Sequence, residues 1–176
     1  TTQDPELAEK ARVIRAHGSK PKYYHAVIGG NFRIDALQAA LLRVKLPELE
    51  AWTEERRANA GRYDAAFKSA GLSESLLRTP TRCFDGHVYN QYVIRTSHRD
   101  ALQAHLRAEH IDTAIYYPVP LHRQECFASL GYPEGSLPVS ERASAEVLAL
   151  PIFPGLGEAR QDRIIDAVVS FLAQVE

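Results

Sequence analysis

Only three short stretches of this 176-residue chain have the β-branched and aromatic character of strands, and each lies between runs of helix periodicity. They are Val88 to Arg95, Asp112 to Tyr117, which Pro118 and Pro120 close, and a brief extended run from Ala149 to Phe153. A chain so patterned builds an α/β fold with a small sheet flanked by helices. Its length suits one domain, or one domain with an appendage.

The helices announce their ends. Asp4-Pro5-Glu6 combines a side-chain acceptor, a proline suited to the first helical position and an acid at the positive helix end, and Gly18 offers a stop. Leu7, Ala11 and Ile14 share a face, so the first helix is predicted from Pro5 to His17. From Asp35, the residues Leu37, Ala40, Leu41 and Val44 repeat at helical spacing until Pro47 interrupts near Lys45. The next helix runs to Gly71 with Leu49, Trp52, Tyr63, Ala66 and Phe67 inward, and Glu54, Glu55, Arg56 and Arg57 toward water.

Leu72 to Asp85 reads as irregular. Ser97-His98-Arg99-Asp100 has the S-x-x-D form of a helix start, and Ala101, Leu102 and Leu106 continue it to about His110. A short helix is predicted over Ser140 to Leu148. A last one is predicted over Glu158 to Val175, with Ile164, Val168, Phe171, Leu172 and Val175 on one side. The boundary between a helical segment (1–71) and a small α/β domain (72–176) follows from the stop at Gly71.

Composition removes several functions. Lys and Arg number 21 against 22 Asp and Glu, so the broad positive field of a nucleic-acid binder is missing, although a local basic patch is compatible with the balance. No apolar run approaches the roughly 20 residues that span a bilayer. Cys83 and Cys126 form no C-x-x-C, and His105 and His110 stand five apart rather than at i, i+4, so no metal site is expected. The cysteine usage fits a reducing, cytoplasmic setting. The chain has no methionine and begins Thr1-Thr2-Gln3-Asp4, which reads as a piece of a longer protein.

Two clusters have chemical promise. The loop Ser19 to Phe32, without periodicity, leads into Gly29-Gly30-Asn31-Phe32-Arg33 directly before a helix. Free amides and positive charge gather at such a helix mouth, so an anion cradle is one reading, with Asn31 and Arg33 as added donors. The other is a plain turn in which Asn31 or Asp35 caps the helix, since the Asp35 carboxylate would repel an anion there. The second cluster, Tyr116-Tyr117-Pro118-Val119-Pro120-Leu121-His122-Arg123-Gln124, presents His and Gln at a loop after a strand. Ligand sites often lie at such places, and packing tyrosines with a capping histidine are the alternative.

Four ordered stretches resemble the C-terminal half of the DegT/DnrJ-type sugar aminotransferases. They are Asp4-Pro5-Glu6-Leu7-Ala8-Glu9-Lys10 with Arg15-Ala16-His17-Gly18; Tyr24-His25 with Gly30-Asn31-Phe32-Arg33 and Leu37-Gln38-Ala39-Ala40; the segment Tyr116 to Gln124; and Leu150-Pro151-Ile152-Phe153-Pro154. The likeness covers almost the whole chain, and the second and third stretches are the specific ones.

The resemblance implies the α+β C-terminal part of a fold-type I enzyme that uses pyridoxal 5'-phosphate (PLP). Such an enzyme aminates the keto sugar of a nucleotide-linked sugar, with glutamate as amino donor, in deoxysugar biosynthesis. It further implies a homodimer whose active site is shared between subunits. In that pattern Asn31 contacts the PLP phosphate from the neighbouring subunit, Arg33 grips the sugar nucleotide, and His122 faces substrate, with Tyr117, Tyr24 and His25 as further candidates. The family's Schiff-base lysine lies upstream of these residues. None of Lys10, Lys20, Lys22, Lys45 and Lys68 stands in its context, so no catalytic residue is assigned here and the chain alone is expected to be inactive. A non-catalytic binding or dimerisation module using the same surfaces is the alternative.

Overall fold

The computed structural model describes residues 1–175 and has two compact units, Thr1–Leu49 and the chain from Glu50 onward.

In the first unit, helix α1 spans Pro5–Arg15 and opens as its sequence dictates, with the Asp4 carboxylate accepting from the N–H groups of Glu6 (2.9 Å) and Leu7 (3.1 Å). The helix stops at Arg15, short of His17, because His17 and Gly18 both turn left-handed (φ 62° and 72°). The reversed chain then lies back along the helix end, where Gly30 N–H donates to Ile14 O (2.9 Å) and Phe32 N–H to Arg15 O (3.2 Å). Backbone packs on backbone here: a Cβ at Gly29 would sit 2.3 Å from Gly18 N and 2.4 Å from Ile14 O.

Helix α2, Ala36–Lys45, follows, and Pro47 converts the chain to a 3₁₀ turn at Leu46–Glu48. Neither α1 nor α2 buries a residue. Leu37 and Val44, on the apolar face of α2, remain 72% and 76% exposed, and Leu41 is exposed beside them.

The second unit contains the core. Helix α3, Leu49–Ser69, contributes Ala60, Tyr63 and Phe67, so it belongs with this unit, and the contact boundary falls at Leu49 rather than at residue 71. Strands β1 (Tyr92–Arg95) and β2 (Val147–Leu150) pair antiparallel, with Tyr92 opposite Leu150 and Arg95 opposite Val147. Around them lie α4 (Arg99–Ala108), α5 (Pro138–Glu146) and α6 (Glu158–Leu172). Tyr92, Ile94, Leu102, Leu106, Leu148, Val168 and Leu172 are sealed from solvent, each such side chain contributing about 1.5–3 kcal/mol of burial.

Polar ties fix α3 to the segment between β2 and α6 and to α6 itself. Tyr63 OH donates to Pro151 O (2.9 Å), Arg56 Nη1 to Ile152 O (3.0 Å), and the buried Gln161 amide to Asn59 O (2.7 Å). Thus Arg56, and Arg57 through His87 O (3.0 Å), are partly buried structural donors rather than solvated charges.

Several sequence expectations need correction. The stretch Asp112 to Tyr117 is not a strand: only Ala114 pairs, with Ala149, through two hydrogen bonds of 2.7 and 3.3 Å. Asp112 is a poor ladder residue, and the prolines beyond bring no N–H to extend pairing. Strand β1 begins at Tyr92 rather than Val88, because Tyr89 adopts φ 45° and turns its N–H to His87 Nδ1 (3.1 Å).

The Ser97 box does not form. His98 is the N-cap of α4 without a side-chain bond, while Thr96 Oγ1 accepts from His98 N–H (3.2 Å), and the helix ends at Ala108 instead of His110. Val147 and Leu148 leave the predicted Ser140–Leu148 helix for the buried strand β2, an ambiguity inherent in short apolar runs. Helix α6 ends at Leu172, leaving Val175 outside it, and Leu49 is exposed rather than inward. Among the described residues no helix is long and apolar enough to cross a membrane.

Candidate functional site

The first candidate cluster lies wholly in the first unit. The structure shows the capped reading of the helix mouth: Asp35 Oδ1 accepts from Leu37 N–H (2.8 Å) and Gln38 N–H (3.2 Å), which takes up two of the amides an anion would use and sets a carboxylate beside the rest. What remains is a pair of side chains. Arg33 Nε–H donates to Asn31 Oδ1 at 2.7 Å, and both residues are exposed. Among the described residues, the Asn31 amide N–H groups and the Arg33 terminal nitrogens have no partner. The free surface of the pair is therefore donor-only, a set that suits phosphate or carboxylate oxygens.

The surrounding loop holds this pair in place. An antiparallel bridge joins Ala16 to Asn31 and another joins Ser19 to His25. His25 Nδ1–H donates to His17 O (2.8 Å), and Tyr24 O accepts from Lys20 N–H (2.8 Å), leaving the Tyr24 ring exposed. Lys20 bonds Glu9 on α1 and holds the Glu9 carboxyl below its ordinary value of 4.5, so this lysine is an anchor. Asn31, Arg33, Tyr24 and His25 thus share one loop, with Asn31 and Arg33 in direct contact.

The second cluster, in the second unit, is partly engaged in its own structure. Tyr117 is 72% exposed, its ring edge-on to Tyr116 at 6.0 Å. His122 sits in the 3₁₀ turn Leu121–Arg123 with only 7% of its side chain accessible and Nε2 3.0 Å from Glu141 Oε1. Glu141 also accepts from Gly135 N–H (2.8 Å) and Leu137 N–H (3.2 Å); the Gly135 amide foremost, then His122, hold its carboxyl below 4.5.

One imidazole nitrogen of His122 is thereby committed, and Nδ1 is the one left for a ligand. Sequence reasoning missed Glu141 because it lies far from His122 along the chain and within an ordinary helix start. Gln124, whose amide reaches Val119 O at 3.5 Å, closes the turn. Burial pushes the Tyr63 and Tyr92 phenols upward, so they serve as protonated donors, Tyr92 to Asp64 (2.5 Å). Among the described residues no three His, Cys, Asp or Glu gather as a metal site.

A model of the DegT/DnrJ/EryC1/StrS aminotransferase family matches residues 1–169, containing both clusters. The chain belongs to that family. It is 52% identical over 172 residues to a pleiotropic regulatory protein of Geobacillus stearothermophilus, covering 97% of this chain and 45% of that protein. It is 42% identical over 175 residues to the dTDP-3-amino-3,4,6-trideoxy-alpha-D-glucose transaminase of Streptomyces venezuelae, covering 99% of this chain and 45% of the transaminase.

Among solved structures, S. venezuelae DesV in complex with a ketimine intermediate superposes with a TM-score of 0.91 at 41% identity, over 100% of this chain and 47% of that one. The α/β architecture described above is therefore that of this aminotransferase family. This member of it spans a little under half the length of the relatives it matches.

Proposed function

We propose that this chain is the cofactor-phosphate and substrate-contacting half of a PLP-dependent aminotransferase. The complete enzyme moves an amino group from glutamate to the keto sugar of a nucleotide-linked sugar, in the cytoplasm. The observation that carries this reading is the exposed Asn31–Arg33 pair in a chain of the DegT/DnrJ/EryC1/StrS family: its unpaired donors fit a phosphate, and Asp35 leaves that work to side chains.

PLP, when bound, supplies the electron sink for amino-group exchange. Asn31 donates its amide N–H groups to the cofactor phosphate in the active site of a neighbouring subunit, while its Oδ1 orients Arg33 toward the negatively charged substrate. His122 Nδ1 and the Tyr117 hydroxyl meet the sugar, and Tyr24 and His25 stand in the loop that carries Asn31 and Arg33. Burial of His122 against Glu141 fixes the ring so that binding costs little ordering entropy. The amino donor and the homodimer follow the family pattern, and the lysine that binds the cofactor belongs to the other half of the enzyme.

Visible-range titration with PLP tests the assignment. This chain alone should show no cofactor band, whereas a longer form carrying the family's lysine should show one, and Asn31→Ala in that form should weaken PLP binding. A cofactor band on a lysine of the short chain would overturn the reading. A second reading, a non-catalytic dimerisation module, is favoured by the uncovered Leu37, Leu41 and Val44 face of α2. A longer form that binds no PLP yet self-associates through that face would select it.

A further inference from the structure

A cleft of about 250 Å³ in the second unit is lined by Arg78, Arg95 and Arg142 together with Ser75, Thr96, Ser97, Glu74 and Glu146. It has no part in the function proposed above. Arg78 and Arg95 are directly opposite in an antiparallel bridge, each donating its N–H to the other's carbonyl at 2.9 Å. Directly opposed residues project to the same face, so both arginine side chains leave the backbone toward this cleft, and like charges on one face cost stability unless negative charge intervenes.

The protein compensates only half of that charge. Glu146 pairs with Arg95 at 2.6 Å. Arg78 and Arg142 are exposed and, among the described residues, make no side-chain hydrogen bond or ion pair, and Arg95 Nε is buried without a partner. The buried Arg95 Nε leaves its desolvation cost uncompensated in the wall of the cleft. Glu74 is the one acid in the cleft not committed to an arginine, so guanidinium charge exceeds carboxylate charge even with Glu146 in place.

We propose that this cleft binds a small phosphate-type dianion. Planar guanidinium forks from Arg78 and Arg142 grip its oxygens, and the Ser97 hydroxyl adds a neutral donor. The near-zero net charge of the chain conceals the patch, since the excess is local.

Isothermal titration with inorganic phosphate, a dianion at mildly alkaline pH, at low ionic strength tests it, with every protein carrying Arg33→Gln so that the pair at Asn31 does not contribute. Saturable one-site binding is expected, weakened at least about fivefold when Arg78→Gln and Arg142→Gln are combined. Neither substitution removes an intramolecular bond, so far-UV circular dichroism should be unchanged; each single variant is measured as well, and should lose part of the affinity. Absence of saturable binding, or a loss smaller than about fivefold in the folded double variant, would overturn the proposal.

Discussion

Arg33 Nε–H donates to the carboxamide oxygen of Asn31 at 2.7 Å, so the asparagine cannot turn its oxygen outward without giving up that bond. The amide is thereby fixed with its N–H groups free, the orientation an anion requires.

A substitution separates the two ends of that amide. Asn31→Asp keeps an acceptor for Arg33 but replaces the free donors with negative charge. In the longer, lysine-bearing form, PLP affinity should fall by more than the roughly tenfold expected for Asn31→Ala, about 1.4 kcal/mol. Fluorescence titration of both variants measures the order, and equal affinities of Asn31→Asp and the parent would refute the contact.

The uncovered face of α2 should drive association. Leu37, Leu41 and Val44 together present apolar surface of the kind that soluble chains usually cover. Multi-angle light scattering is expected to show dimers or larger species at micromolar concentration, with Leu41→Glu shifting the population toward monomer. A parent chain that elutes as a compact monomer contradicts this.

Acid should loosen the segment around His122. The Glu141 carboxyl is held below 4.5 by the Gly135 amide and His122, so its contribution to folding is complete above that ordinary value and disappears as pH falls through the lower folded value. Thermal melts across that range should show a steeper acid loss for the parent than for Glu141→Gln. Parallel pH profiles would show that the carboxylate is not coupled to folding.

Gly29→Ala places a methyl group against the backbone of Gly18 and Ile14, with no flexible side chain able to yield. The loop must move off the end of α1. Amide hydrogen exchange at Gly30 and Phe32, now bonded to Ile14 O and Arg15 O, should accelerate at least about tenfold while β1 and β2 retain their protection. Unchanged protection at Gly30 would mean that the close approach is dispensable.

Much of the helical framework was legible because its signals are local. Asp4-Pro5 capped α1 where expected, Pro47 ended α2 at Lys45, and the spacing of Ile164, Val168 and Leu172 marked the buried side of α6. The pairing of strands was less legible, since Asp112 to Tyr117 has strand composition yet finds only Ala149 as a partner.

The candidate sites divide the same way. Gly-Gly-Asn-Phe-Arg before a helix could be seen in the sequence, but the choice between a capped turn and an open helix mouth turned on where one Asp35 oxygen points. The Glu141 partner of His122 and the facing of Arg78 with Arg95 depend on distant segments meeting, which no local spacing encodes.

The capping of α2 by Asp35 has a lasting consequence for how the neighbouring loop can change. A nest of main-chain amides survives almost any mutation, whereas the recognition proposed for Asn31 and Arg33 is written in two codons. A change at either codon could therefore retune or abolish the proposed anion contact without rebuilding the helix beside it.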